Sequence, residues 1–585
     1  MVNLKLNGRN RGRGCRPTWQ GSTALLLAVA VVLACAAPAA AGGRRARLSS
    51  DLVAQLNSSS SAPMDIIVSG SQERIDRLVK RHGLRVKKVL TSGAVLTVSR
   101  KAMDALRQDQ EMEAISGDAV VRSIDSGTGT VRKSTYDPGA AASVTAEVTG
   151  ADAAWAGNIQ VLGAVDGRGI GVAIIDSGIA SHPALNDRVV AAVDFTDPKG
   201  KGQDYYGHGT HIAGIIAARS FRNVDGATSG IAPAAHLINL KVLGSNGNGQ
   251  ASDVIEAIDW AIRYRRVFSI RVLNLSLGAA PTQSYKDDPI CQAVERAVKA
   301  GLVVVASAGN YGTNDQGQQI FGSITSPGIS PHAITVGAIR TQGTVDRSDD
   351  EVAPWSSKGP TMVDHLVKPD LVAPGSKIVS TAAAGATLMN QFPDRFIDGP
   401  GSRDYFSMSG TSMAAAVVSG AAALVLDGRE DLSPLQVKLS LQGSADFMPS
   451  AGLLSSGAGS IDLEDLDLLP TLTPRRQGAA TGFSMAIPTG GTSAQVIVWG
   501  DVIVWGDVIV WGDVIVWGDS TKASGVIVWG DSARDVIVWG DSTVTQDVIV
   551  WGYSAGDVIV CGDSVAEVIV WGDVIVWGDV IVWGD

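Results

Sequence analysis

Gly171-Val172-Ala173-Ile174-Ile175-Asp176-Ser177-Gly178 is the stretch whose reading decides the fold. Five small or apolar residues run without alternation and end on an acidic residue and a glycine turn. A strand with one wet face alternates polar and apolar residues. A continuous run is expected when both faces of the sheet are covered, as in parallel α/β sheets. Similar runs recur at Leu237–Val242, Val272–Leu277, Leu302–Ser307 and Ala333–Val336. Helical patterns at Ser252–Tyr264 and Pro289–Lys299 lie between them. Strands alternating with helices predict an α/β domain with a doubly wound, mainly parallel sheet over residues 151–468. Ser412 opens a long run of small and apolar residues ending near Gly428, and Ser433-Pro434 supplies an N-cap and a first-turn proline for another helix.

Other segments differ in kind. Lys5, Arg9, Arg11, Arg13 and Arg16 precede an apolar run from Ala24 to Ala41 that ends Ala39-Ala40-Ala41, which reads as a secretory signal over residues 1–41. Residues 43–125 read as a small α+β unit of order βαββαβ, the ferredoxin-like order. Its strands are Met64–Val68, Arg85–Leu90, Gly93–Ser99 and Met112–Val121, and its helices Ser71–His82 and Lys101–Gln108. Residues 126–150 and 469–495 are rich in small and polar residues or proline and read as linkers. From 496 to 585 the hexamer Val-Ile-Val-Trp-Gly-Asp, or a close variant, begins at 496, 502, 508, 514, 526, 536, 548, 558, 568, 574 and 580. High β propensity and Gly-Asp turns predict a β-rich repeat region, either a meander or a compact solenoid.

Charge is partitioned along the chain. The net charge is −10, and Val496–Asp585 carries 13 Asp and one Glu against Lys522 and Arg534, a net of −12. The remainder is close to neutral, which argues against nucleic acid or an anionic membrane as a partner. Four cysteines, Cys15, Cys35, Cys291 and Cys561, two of them in the leader, make no disulfide framework.

Three segments set a polar group at the end of an apolar element. Asp176 closes the first strand, at the carboxyl edge where α/β sheets place their sites. His208 and His211 sit in Gly207-His208-Gly209-Thr210-His211 at the start of a small-residue helix. Ser412 lies in Ser409-Gly410-Thr411-Ser412-Met413-Ala414 at a helix N-terminus. Taken alone, each has a structural reading as a cap or a turn residue. Together they supply an acceptor, a base and a nucleophile, the set that acyl transfer by serine needs. Met408-Ser409-Gly410-Thr411-Ser412 is not the Gly-x-Ser-x-Gly elbow of a serine esterase. The glycine-rich loop at 247–249 lacks the order of a phosphate-binding loop.

On these motifs the chain resembles the subtilisin-like (subtilase) serine proteases over residues 151–468. The resemblance implies a triad of Asp176 as orienting carboxylate, His208 as general base and Ser412 as nucleophile, with His211 as a structural neighbour. It also implies that Asn310, closing Val303-Val304-Val305-Ala306-Ser307-Ala308-Gly309-Asn310, donates its amide to the oxyanion. Ser276, Leu277 and Gly278 on one side, and Gly247 and Gly249 on the other, would bind an extended peptide by strand addition. The 43–125 unit resembles the family's propeptide inhibitors, which implies an autoprocessed zymogen. The activity implied is that of a secreted endopeptidase acting on protein or peptide substrates. No cofactor is required; calcium is compatible with the family, but Ala184 stands where relatives carry an acidic ligand and no ligand set is assignable. The repeats are expected to serve the cell envelope, the substrate or self-association. The competing reading is a catalytically silent, repeat-bearing surface or assembly protein.

Overall fold

The computed structural model describes residues 45–58, 62–123, 144–219, 221–223, 226–397 and 404–468, and the backbone of ten short strands between 495 and 577. The expected leader and most of both linkers lie outside the described residues.

The main sheet runs Glu351–Val352, Ile334–Arg340, Val303–Ser307, Ile270–Leu275, Gly171–Asp176, His236–Lys241, Val189–Asp194, with Leu371–Pro374 also paired to Ile334–Arg340. All pairings are parallel except that of the short Glu351–Val352 strand. The deciding stretch therefore sits well inside the sheet, between the strands at 236–241 and 270–275. Its side chains divide between two cores. Val172 and Ile174 join one apolar cluster, Ala173 and Ile175 the other. Val303 and Val305, against Val304 and Ala306, split in the same way. That is the physical reason for the unbroken apolar runs: alternate residues face opposite layers, and both layers are dry. Each of the valines and isoleucines contributes roughly 1.5–3 kcal/mol by its burial, each alanine less.

One layer is dominated by helix Thr411–Gly428, whose residues from Thr411 to Leu426 are all buried. It is long and apolar enough to cross a bilayer, but 89% of it lies inside the core. Its alanines and glycines let it press close to its neighbours; a Cβ on Gly420 would lie 2.6 Å from Ile231. Helices Ala251–Tyr264 and Pro289–Lys299 pack on the other layer. Pro289 opens its helix behind Asp288, whose carboxylate accepts from the N–H groups of Ile290 and Cys291. The core unit begins earlier than the expected boundary at 151. Residues Thr145–Thr149 are helical, Val148 is buried, and the Thr149 carbonyl accepts from Leu463 N–H.

The N-terminal unit has the sheet order Arg47–Leu48, Ala114–Gly117, Met64–Ser69, Gly93–Val98, Arg85–Leu90. Helices Gln72–His82 and Arg100–Leu106 connect its strands, with Ser71 and Ser99 as N-caps. Helix Ser50–Asn57 and the short Arg47–Leu48 strand are additions to the expected pattern.

The expected last strand, Met112–Val121, is two strands in two different sheets. Ala114–Gly117 stays in the unit's own sheet. Val120–Ser123 leaves it and pairs with the large domain. The break falls at Asp118, whose carboxylate accepts from both the N–H and the hydroxyl of Ser252, each at 2.9 Å. A contact with the first turn of a distant helix thus ends a strand that its own composition would continue.

The repeats form two sheets, each of five parallel strands. Gln495–Trp499 pairs with Asp507–Trp511, and Val502–Trp505 with Val514–Gly518, so among the described strands each copy pairs with the next but one. This pairing keeps Val opposite Val and Ile opposite Ile. Parallel pairing of alternate copies is the connectivity of a two-sheet coil, whereas a meander joins neighbours antiparallel.

Candidate active site

Asp176 ends its strand at the carboxyl edge of the sheet and is buried. Both of its carboxylate oxygens lie 2.9 Å from Nδ1 of His208. One of them also accepts the Ser177 N–H at 2.7 Å. His208 is the first residue of helix His208–Ala217 and is fully buried. Glycines flank it because the helix starts against another turn: a Cβ on Gly209 would lie 2.2 Å from the carbonyl oxygen of Gly178.

Sequence reasoning missed the residue that anchors this helix. One carboxylate oxygen of buried Asp204 accepts from Ser177 Oγ–H at 2.9 Å, Tyr206 N–H at 3.0 Å and Gly207 N–H at 2.7 Å. The other accepts from Thr210. Ser177 Oγ in turn accepts the Gly209 N–H at 2.9 Å. Asp204 thus binds the orphan donors at the helix start and links them to the residue after Asp176. Its signal in the sequence is an acidic residue just upstream of a Gly-His-Gly helix start.

Lys241 is the second omission. It pairs in register with Asp176 on the next strand and its ammonium donates to the carbonyls of Ser177 and Leu243, at 2.5 and 3.0 Å. Burial lowers its pKa against the pull of Asp204, Asp194 and Asp176. His211 faces the other way from the pair. Its Nε2 lies 2.9 Å from the Phe406 carbonyl and 3.1 Å from that of Ile378, and burial brings its pKa down to about 3. A neutral Nε2–H tautomer donating to both carbonyls fits this, in keeping with the structural place expected for it.

Ser412 is the second residue of helix Thr411–Gly428, is buried, and lies two residues after the extended N-cap Gly410. Its hydroxyl donates to the Ser276 carbonyl at 3.1 Å, and the Ser276 hydroxyl donates back to the Ser412 carbonyl at 2.9 Å. Its helix packs against helix His208–Ala217, which brings the elements that carry Ser412 and His208 together. Asn310 reaches the same helix start: its side-chain oxygen accepts from Thr411 N–H and Thr411 Oγ–H, both at 3.0 Å. A main-chain N–H can only donate, so the oxygen end of the amide is the one held there.

The two expected peptide-binding segments grip the same strand. Asn248–Gln250 pairs antiparallel with Val120–Arg122, placing Gly249 opposite Val121. Leu277–Gly278 pairs antiparallel with Arg122–Ser123 from the other side. Gly247 closes the first segment by accepting the Ser123 N–H at 3.0 Å. Val121 is fully buried in the apolar cluster that includes Leu243, Val254 and Leu277. Around this strand the N-terminal unit is docked by Lys88 on Asp253 and Glu256 at 2.6 and 2.5 Å, by Ser92 on Asp259, and by Arg47 on Asp287.

Among the described residues no group of three or more His, Cys, Asp or Glu side chains is placed to hold a metal ion. Ala184, at the position considered for calcium, instead donates its N–H to His182 Nδ1.

A carboxylate–imidazole pair and a helix-borne serine on a parallel sheet define a serine hydrolase of the α/β class. Residues 167–479 match the subtilase family, and the chain belongs to it. The serine protease AprX of Bacillus subtilis (strain 168) is 38% identical over 309 residues, 51% of this chain and 66% of that protein. Subtilisin Savinase of Lederbergia lenta is 35% identical over 291 residues, 50% of this chain and 88% of that protein. Subtilisin E of Bacillus subtilis (strain 168) is 35% identical over 294 residues, 50% of this chain and 64% of that protein. The matched stretch thus spans about two thirds of two of these relatives.

Proposed function

We propose that this chain is a secreted serine endopeptidase made as a self-inhibited precursor. Its chemistry is acyl transfer: Ser412 attacks the scissile carbonyl, His208 takes and returns the proton, and Asp176 holds the imidazole with Nδ1–H toward it. The observation that carries this reading is the paired 2.9 Å contact of the Asp176 carboxylate with His208 Nδ1. It supports a proton on Nδ1, donated to the carboxylate, with Nε2 as the basic nitrogen. Asn310 fits the oxyanion role, because Thr411 holds its oxygen end and the NH₂ end is directed away from that contact.

The N-terminal unit, whose strand order is that of a ferredoxin-like fold, acts as the inhibitor. Val120–Ser123 occupies the groove as a third strand between two segments of the large domain, the geometry of peptide recognition by strand addition. Chain following Ser123 would then be the substrate of the first, intramolecular cut. The repeat region is assigned to contact with the cell envelope or to self-association, apart from the chemistry.

The test is a Ser412→Ala chain expressed beside the parent, each treated with a fluorophosphonate. The parent should be processed and labelled at Ser412; the variant should accumulate uncut. Normal processing of the variant would remove self-cleavage. A parent that takes no label would favour the silent assembly protein instead.

A further inference from the structure

Asn274 is a polar residue in the middle of an apolar strand, fully buried and paired on both sides, opposite Ile174 and opposite Val305. Its amide nitrogen donates to Ser276 Oγ at 2.9 Å, and its oxygen accepts from Ser419 Oγ–H at 2.9 Å. Ser276 Oγ then donates to the Ser412 carbonyl at 2.9 Å, and the Ser412 hydroxyl donates to the Ser276 carbonyl at 3.1 Å. All four side chains are fully buried.

The polarity of this chain of bonds is set at one end. A main-chain carbonyl only accepts, so the single proton of the Ser276 hydroxyl must point at Ser412. The hydroxyl must therefore accept from Asn274, which places the NH₂ end there and turns the oxygen toward Ser419. Ser419 lies seven residues after Ser412, two turns on and on the same helix face. One carboxamide thus ties the catalytic helix to the sheet at two heights: at Ser419, and at Ser412 through Ser276.

We propose that Asn274, backed by Ser419, is a positioning residue that fixes the rotation and depth of the catalytic helix, and so the place of the Ser412 hydroxyl, relative to the Ser276–Gly278 segment. The inference rests on the peptidase reading. Ser276 belongs both to the network and to the segment that grips the bound strand, so nucleophile and substrate register share one anchor.

Asn274→Asp is nearly isosteric, but as a carboxylate it cannot donate to Ser276 Oγ, so the Ser276 proton must turn toward residue 274 and leave the Ser412 carbonyl, while the bond from Ser419 is kept. Ser419→Ala removes one hydroxyl two turns from the nucleophile. Both are made in the full-length chain, and the processed protein is compared with the parent. The rate of Ser412 labelling by a small fluorophosphonate, kcat and KM on a peptide substrate, and the thermal midpoint are measured. Labelling and kcat should fall together, at least tenfold in Asn274→Asp and about threefold in Ser419→Ala, with KM within twofold. If Asn274→Asp does not accumulate, Ser419→Ala decides. A parent that labels while the variants keep its labelling rate and kcat, with only a lower midpoint, would reduce Asn274 to a core residue. A parent that takes no label would overturn the peptidase reading, and this inference with it.

Discussion

Asp204 and Thr210 are joined twice by one carboxylate oxygen, which accepts the Thr210 N–H at 2.9 Å and its hydroxyl at 2.7 Å. The other oxygen serves Ser177, Tyr206 and Gly207. Both oxygens face donors alone, a role that suits a carboxylate and not an amide.

Asp204→Asn should therefore be damaging despite its shape. Whichever way the amide turns, its NH₂ meets donors, and bonds to an ionised acceptor worth roughly 1.5–3 kcal/mol each are lost. His208 is the first residue of the helix these bonds hold. The expectation is a stability loss of about 2–4 kcal/mol and a fall of tenfold or more in kcat with KM little changed. Denaturant unfolding of the Ser412→Ala background, together with steady-state kinetics of the single variant, checks both. Unchanged kcat would show that the helix start holds without its anchor.

His211 makes a prediction about acid. Its folded pKa, brought down to about 3 by burial, lies below the ordinary 6.5. The folded protein keeps the ring neutral, while the unfolded chain takes a proton as pH falls through 6.5. Stability supplied by this group is thus complete above pH 6.5 and is lost toward pH 3, at up to about 1.4 kcal/mol per pH unit. In the Ser412→Ala background, which suppresses self-digestion, His211→Asn should flatten the acid limb of stability against pH. Equal slopes with and without the substitution would refute the assignment.

Asp350 makes the opposite one. Burial raises its pKa from 3.8 to about 7, with Asp349, Asp446 and Asp346 adding to the effect against Arg347. Both of its oxygens are buried without a hydrogen bond. Here the folded state holds the proton longer than the unfolded chain, so stability falls as pH rises from 3.8 to 7 and stays lower above it. The residue as a whole is only partly buried, so the penalty is discounted to about 1 kcal/mol. Asp350→Asn should then be the more stable form at pH 8 and equal to the parent at pH 3.5, measured by thermal unfolding in both buffers. A variant less stable than the parent at pH 8 would mean that the carboxylate is held by an interaction worth more than its burial costs.

What the sequence reveals here depends on how local each cause is. The strand ending at Asp176 is legible because two dry faces remove every polar residue from Gly171 to Ile175. His208 and Ser412 are legible because glycines and alanines crowd two helix starts. Asp204 is harder to see: it lies in a polar loop with no periodicity, four of its five donors are local N–H and O–H groups between Tyr206 and Thr210 that any short loop could offer, and only the bond from Ser177, 27 positions away, ties it to the turn after Asp176. The split of Met112–Val121 at Asp118 is hidden for the same reason. Its apolar residues suit one long strand, and the interruption comes from Ser252, 134 positions away in sequence. Asn274 is visible as an oddity in an apolar run, but its partners Ser276 and Ser419 belong to two different elements.

A substitution at Gly249 can separate the proposed chemistry from the proposed grip on substrate. Gly249 stands opposite Val121 in the groove, and a Cβ there would lie 2.2 Å from the carbonyl oxygen of Val242. Main chain is the obstacle, so no side-chain rotation relieves it. Gly249→Ala must displace the Asn248–Gln250 strand from its place beside Val242 and so disturb its pairing with Val120–Arg122. Asp176, His208 and Ser412, the proposed triad, are not in that strand, and a small fluorophosphonate needs no strand to bind. The variant, processed in trans by parent enzyme, should therefore keep its labelling rate within about threefold while losing tenfold or more in kcat/KM on peptides long enough to pair. Its own precursor should also mature more slowly. Equal losses on the label and on long peptides would mean that the strand at Gly249 supports the catalytic centre itself, and that recognition and chemistry in this protein are not divided as its geometry suggests.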